Sequence, residues 1–293
     1  MKWKVFIMCH NVIWEDMYAG DANFSSKNYT FFKLGGAKLE NRMGSKFTVL
    51  NEYDLPIHMT EAHYAELTGL YAIYKNGLHK GLDAIGFSQY DKEHRLIGSS
   101  QDIEAVTLEP LRLKAEKQKK ATGPTDVTRR IEKSLNDNPT GVHICLEGHG
   151  FQKMHDSKVM MDESDPDAFV GDGINCFDAI LSDYNSHFGT SFTMSDVAAD
   201  GYLTMCDSFI TPVLTFEKLM EFLVPIIESR RLDIFDSKRK HRIQGGLLER
   251  YVAVFFALEK IKKIEMSTFH QYWRKKNISR IKRILEWLNL SRS

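Results

Sequence analysis

The sequence is poor in cysteine and has no long apolar run. Four cysteines are spread along 293 residues without a Cys-x-x-Cys pair, so neither a zinc site nor a disulfide framework is indicated. No segment approaches the roughly 20 apolar residues of a membrane-spanning helix. Lysine plus arginine equals aspartate plus glutamate at 39 each, so no global positive field attracts nucleic acid. We expect a globular protein of the cytosol or of a membrane face, and no nucleic-acid partner.

Four common catalytic motifs are also missing. The sequence has no GxxxxGK(S/T) phosphate loop, no GxGxxG after its first strand-like run, no HExxH and no GxSxG. Each absence removes a large class of enzymes. Paired carboxylates, as in glycoside hydrolases, stay open because aspartate and glutamate are plentiful.

Along the chain, strand-like runs of residues alternate with helical runs, and this order predicts an α/β fold. The apolar run over residues 5–9 predicts a first strand and not a signal peptide, because it ends at His10 without a small-residue cleavage site. Further strands are predicted at 47–50, 82–91, 142–146 and 202–206. Helices are predicted from Thr60 to a stop at Asn76-Gly77, and at 107–120, 125–135, 177–188, 212–230 and 251–264, with a long loop at 156–173.

The predicted strand over residues 82–91 stops on a polar tip, Gln89-Tyr90-Asp91. Ligands of open α/β sheets lie beyond the carboxyl ends of strands, so Asp91 is a candidate ligand group there. The alternative is that Asp91 only caps the strand and pairs with Lys92 or Arg95.

Four stretches carry a family resemblance. Residues 65–76 (AELTGLYAIYKN) and 85–91 (IGFSQYD) resemble the E-L-T-x-L-Y-x-x-W-K-N and I-G-x-x-H-Y-R-R motifs of a glycosyltransferase family of capsular and exopolysaccharide clusters, with relatives in large DNA viruses. Residues 183–190 and 246–250 are similar to its later motifs, so the resemblance covers most of the chain. It implies a single GT-A-like, Rossmann-related mixed sheet flanked by helices.

The same resemblance implies the reaction and its partners. The protein would move a sugar from a nucleotide sugar, such as a UDP-sugar with UDP-xylose among the candidates, to a hydroxyl of a surface glycan or glycoprotein oligosaccharide. One departure matters: Gln89-Tyr90-Asp91-Lys92 replaces the family's His-Tyr-Arg-Arg. Gln89-Tyr90-Asp91 resembles an Asp-x-Asp metal motif with one carboxylate changed to an amide. It predicts Mn or Mg at Asp91 on condition that the donor diphosphate supplies further oxygens.

Three other residues are candidate donor contacts. His10 and Asn11 follow the first strand, where the base and ribose of a nucleotide lie in such sheets, although a lone histidine there is often structural. Lys75 ends its predicted helix and either contacts the diphosphate or complements the helix dipole.

An inverting transferase needs a carboxylate that takes the proton of the attacking hydroxyl. Glu249 is the first candidate, because it follows Gly245-Gly246, which lets a ligand approach the backbone, and opens an apolar helix. The alternative is a helix-start glutamate favoured by the macrodipole. Asp200, Asp207 and Glu147 are rival bases, and the neighbouring Arg250 would bind phosphate or pair locally.

We assign residues 1–265 to one glycosyltransferase domain and 266–293 to a C-terminal amphipathic basic helix of the same domain. This helix either lies on an anionic membrane face or docks on the body of the protein. The alternatives to a transferase are a carbohydrate- or nucleotide-binding α/β module without turnover and a glycoside hydrolase.

Overall fold

The computed structural model describes residues 1–9, 12–13, 23–34, 40–41, 49–50, 64–89, 92–96, 127–144, 176–199, 208–234 and 243–270. The strands in this part are β1 (Trp3–Cys9), β2 (Val12–Ile13), β3 (Tyr29–Lys33), β4 (Glu40–Asn41), β5 (Val49–Leu50), β6 (Ala84–Gln89), β7 (Lys92–Leu96), β8 (Val142–Ile144), β9 (Phe209–Pro212) and β10 (Lys263–His270). The helices are α1 (Leu67–Lys75), α2 (Val127–Asp137), α3 (Cys176–Phe188), α4 (Met194–Ala198), α5 (Val213–Glu228) and α6 (Ile243–Leu258), with a 3-10 helix at Arg231–Ile234.

Eight of the described strands form one mixed sheet in the order β5-β3-β1-β6-β9-β8-β10-β7. Strands β5, β3, β1 and β6 run parallel, β9 is antiparallel to both β6 and β8, and β10 is parallel to β8. The parallel strands therefore end at one edge of the sheet, which we call the carboxyl edge. The predicted α/β fold class with a single mixed sheet is confirmed.

Helices cover both faces of this sheet. Alternate side chains of β1 point to opposite faces, so Val5 and Ile7 pack in one apolar cluster with Ile131 and Leu135 of α2. Phe6 and Met8 belong to the larger cluster formed with α1, α3, α5 and α6. Each fully buried large side chain contributes about 1.5–3 kcal/mol, so this larger cluster dominates the stability of the domain.

The sequence pattern explains α1 and its ends. Leu67, Leu70 and Tyr71 are buried, as are the other residues from 67 to 73. The helix ends at Lys75, with Asn76 as its cap, and Gly77 follows with a φ of +66°, a conformation that glycine adopts without strain. Helix α5 buries Phe216, Leu219, Met220, Leu223 and Ile227, which recur every three to four residues along the predicted helix.

The C-terminal part of the described chain differs from the prediction. Helix α6 ends at Leu258, and residues 263–270 form β10. The expected boundary between residues 265 and 266 therefore lies inside a strand. Its start, Lys263-Ile264-Glu265-Met266, alternates polar and apolar residues with a period of two, which favours a strand. Strand β9 was not predicted, because its four residues are too few to show a period and the last of them is Pro212.

Several predicted segments lie outside the described residues: the helix at 107–120, the loop at 156–173, the strand at 202–206 and the tail from residue 271. In the part of the chain that is described, no helix combines the length and apolarity required to cross a bilayer.

Candidate functional site

The tip of β6 lies beside the start of α1 at the carboxyl edge. Gln89, the half-buried last residue of β6, is the register partner of Met8 on β1. Gly69 in the first turns of α1 packs on this same Met8: a Cβ atom at residue 69 would lie 2.4 Å from the Met8 sulfur. The amide of Leu34 donates to the carbonyl of Cys9 at 2.9 Å, which joins the ends of β1 and β3 at this edge.

Helix α6 also begins at the carboxyl edge. It leads into β10, which runs in the direction of β6, so α6 must cross from the carboxyl edge to the opposite edge. Its first turn contacts the segment before α1: a Cβ atom at Gly245 would lie 2.9 Å from the carbonyl oxygen of Tyr64. The starts of α1 and α6 are thus packed against each other.

This contact corrects the expected role of Gly245. The glycine permits a close approach, as predicted, but the approaching group is the backbone of Tyr64 and not a ligand. Glu249 also does not open the helix, because α6 begins at Ile243 and Glu249 lies in its second turn. Among residues 244–258 only Gln244, Glu249 and Ala257 are half-exposed, and the others are buried. Glu249 is therefore the acidic side chain that this stretch presents towards solvent.

Arg250 is enclosed by the protein. Its side chain is 0% exposed, and its Nη1 donates a hydrogen bond to the carbonyl of Gly246 one turn earlier. Burial raises the pKa of the Cys176 thiol to about 12, and the nearby Arg250 guanidinium opposes that rise. The Arg250 side chain thus extends from α6 towards the start of α3. A phosphate contact by Arg250 stays a prediction, and this burial favours the alternative of a local role.

Lys75 is not brought together with Gln89. It is the last residue of α1, on the side from which the chain turns back into β6. Its Nζ pairs with Glu228 at 2.7 Å and lies 5.6 Å from the centre of the Tyr71 ring. The hydroxyl of Tyr71 donates to the same Glu228 carboxylate at 2.8 Å. The geometry favours a structural role for Lys75, and the predicted diphosphate contact has no support from its position.

The other predicted site residues lie outside the described part of the chain: His10, Asn11, Tyr90, Asp91, Glu147, Asp200 and Asp207. Within the described residues no group of three or more His, Cys, Asp or Glu side chains could hold a metal ion. Gln89 offers one amide oxygen at the tip of β6, so a Mn or Mg ion would need Asp91 and the oxygens of a donor. The metal stays a prediction.

Three residues just before α1, namely Tyr64, Ala65 and Glu66, belong to the surroundings of this site although the sequence assigned them no role. Tyr64 is buried, and this burial, with the negative charge of Asp233, raises its pKa to about 12 although Arg230 opposes the rise. Ala65 has a φ of +49°, and Glu66, the N-cap residue just before the helix, is only 9% exposed. The sequence signal for this segment was the family-like motif, which begins at Ala65.

The motif at residues 183–190 is explained by packing. Asp183 accepts a hydrogen bond from the buried Tyr251 hydroxyl at 2.6 Å, and Tyr184 donates to Glu259 at 3.0 Å. Asn185 binds Thr190 and both backbone groups of Phe192, which closes the loop after α3. These residues therefore join α3 to α6 and shape a loop.

The fold is similar to that of a known glycosyltransferase. No protein-family model matches the chain, and no curated protein matches it. Among solved structures, the apo form of WbbM, a bifunctional glycosyltransferase, superposes with a TM-score of 0.53 at 11% sequence identity. The match covers 92% of this chain and 45% of that one, so the chain spans less than half the length of this neighbour. At this identity the likeness concerns the fold alone, and the chain has a GT-A-like α/β fold.

Proposed function

We propose that this protein is a glycosyltransferase that moves a sugar from a nucleotide sugar to a hydroxyl of a glycan. The observation that carries the proposal lies at the carboxyl edge of a GT-A-like sheet, where the start of α1 lies beside the tip of β6 and the segment just before α1 packs against the start of α6. Ligands of open α/β sheets bind at this edge.

The donor end of the site must neutralise a diphosphate leaving group. Helix starts carry a partial positive charge, so α1 and α6 favour an anion at the edge where they begin. We assign Gln89, Tyr90 and Asp91 to the diphosphate, and His10 and Asn11 to the base and ribose of a UDP-sugar, with UDP-xylose among the candidates. Mn or Mg, when bound at Asp91, would supply further positive charge.

The acceptor end needs a base, and we assign Glu249. Its carboxylate would take the proton of the acceptor hydroxyl while the hydroxyl oxygen bonds to the anomeric carbon. The bond from that carbon to the diphosphate oxygen breaks, and the nucleoside diphosphate leaves with the electron pair. Support comes from the partly exposed position of Glu249, between the buried Leu248 and Arg250 in the second turn of α6. Asp200 and Asp207 are the alternatives.

A screen of nucleotide sugars tests the proposal. The purified chain is incubated with common UDP- and GDP-sugars, with and without Mn, and both the melting temperature and the release of nucleoside diphosphate are measured. A donor at 100 times its Kd stabilises the native state by about 2.7 kcal/mol, which is readily detected as a shift in melting temperature. We expect a UDP-sugar to raise the melting temperature and to release UDP when an acceptor glycan is present.

The variant Asp91→Ala tests, in the same screen, whether a metal binds at Asp91. The variant should lose the Mn-dependent part of binding, whereas Asp137→Ala, which removes an exposed aspartate at the end of α2, should not. If no nucleotide sugar stabilises the protein or is consumed, the transferase proposal fails. Stabilisation without turnover would indicate a binding module, and release of sugar from a glycan would indicate a hydrolase.

A further inference from the structure

We infer that Asp183 is a positioning residue for the reaction, which holds the first turns of α6, and with them Glu249, through the hydroxyl of Tyr251. The inference rests on the proposed function, in which Glu249 is the base. Neither Asp183 nor Tyr251 needs to contact a substrate for this role.

Three elements meet at the Asp183 carboxylate. The Tyr251 hydroxyl of α6 donates to its Oδ2 at 2.6 Å. Nε of Arg231, from the 3-10 helix, lies 3.3 Å from Oδ1 and 3.2 Å from Oδ2. Tyr251 is 0% exposed, and its burial and the Asp183 carboxylate both raise its pKa, so the hydroxyl stays protonated and donates. The Asp183 carboxylate on α3, which Arg231 also holds, therefore accepts a hydrogen bond from Tyr251 of α6.

The bond acts close to Glu249. Helix residues two positions apart are separated by about 3 Å along the axis and by about 200° around it. Tyr251 and Glu249 therefore lie on nearly opposite sides of α6. A bond that fixes Tyr251 thus fixes the rotation of the helix that aims Glu249. On another side, the Tyr64 carbonyl leaves no space for a Cβ atom at Gly245. The first turns of α6 are held between the segment just before α1 and helix α3.

The chain contains a matched control at the other end of α6. The Tyr184 hydroxyl, on α3, donates to the Glu259 carboxylate just after α6 at 3.0 Å, and Tyr184 is 3% exposed. This bond has the same chemistry as that between Tyr251 and Asp183. It lies ten residues from Glu249 along the chain, about 15 Å of helix. Both bonds stabilise the contact of α3 with α6, but only the Asp183 bond lies beside the proposed base.

The test compares Tyr251→Phe with Tyr184→Phe below the melting temperature of both variants. Because a displacement of about 1 Å can cost about a hundredfold in rate, Tyr251→Phe should lower kcat by about tenfold or more with the donor KM within about twofold. Tyr184→Phe should lower only the melting temperature. Asp183→Asn keeps an oxygen that accepts from Tyr251 and should retain more kcat than Asp183→Ala. Equal kcat in all four variants would overturn the inference.

Hydrogen exchange separates this inference from the proposed function. Tyr251→Phe should speed amide exchange over residues 244–250, and Tyr184→Phe should not. If the wild-type protein consumes no nucleotide sugar, the proposed function fails, and the role of Asp183 in a reaction fails with it. Unchanged exchange over residues 244–250 in Tyr251→Phe would overturn the anchoring of α6 itself, whatever the activity.

Discussion

His143 gives a stability prediction that can be worked out from the structure. It lies on β8, is 0% exposed, and faces α2, where the hydroxyl of Ser134 is 2.8 Å from its Nε2. Within the described residues its Nδ1 has no hydrogen-bond partner. Burial lowers the pKa of His143 from 6.5 to about 4, because a charged imidazole would lose its hydration there. The folded protein therefore holds this side chain neutral.

Acid should destabilise the fold through this residue. Between pH 6.5 and about 4 the unfolded chain protonates His143 and the folded chain does not. The unfolded state thus binds more protons, and the free energy of unfolding falls as the pH is lowered through this range. A pH of 5 lies about 1.5 units below 6.5, the pKa of histidine in the unfolded chain, and each unit corresponds to about 1.36 kcal/mol. The expected loss relative to pH 7.5 is about 2 kcal/mol.

The assay is urea denaturation of the wild type and of His143→Gln at pH 7.5 and at pH 5. The carboxylates that titrate over this range are the same in both proteins, so the difference between their free energies of unfolding isolates His143. We expect this difference to change by about 2 kcal/mol in favour of the variant at pH 5, with unchanged urea slopes. A difference that is the same at both pH values would refute the argument from burial.

Two further predictions concern the start of α6 and the end of α1. Gly245→Ala should destabilise the protein by about 1–3 kcal/mol in urea, because the added methyl meets the Tyr64 backbone, whereas a gain in stability, as alanine gives in an open helix, would contradict that contact. Lys75→Met should cost at most about 1 kcal/mol, since Lys75 and Glu228 are 40% and 44% exposed, and should leave donor affinity unchanged in a titration; a tenfold weaker affinity would instead support the diphosphate contact.

Local patterns predicted much of the fold. The apolar run before Gln89 and the helix that stops at Asn76-Gly77 were both found, because a buried stripe and a glycine stop are local signals. Strand β9 was missed because Phe209-Ile210-Thr211 is too short to show a period. It is a strand because it pairs with β6 on one side and β8 on the other.

The candidate site was less predictable, because its parts are joined by tertiary contacts. A glycine that admits a ligand and a glycine that admits the Tyr64 carbonyl look the same in a sequence. Arginine is rarely buried completely, so no local pattern indicates that Arg250 is enclosed, and the sequence left both a phosphate contact and a local role open. The bond between Asp183 and Tyr251 joins residues 68 positions apart, and no local pattern indicates it.

Glu249→Gln tests the central claim most directly. The amide keeps the shape of the carboxylate but cannot take a proton from an acceptor hydroxyl. With kcat and donor Kd measured in the same preparation, we expect transfer to fall by about a hundredfold or more while the donor Kd stays within about twofold. Retained transfer by Glu249→Gln would contradict the account and would move the base to Asp200 or Asp207.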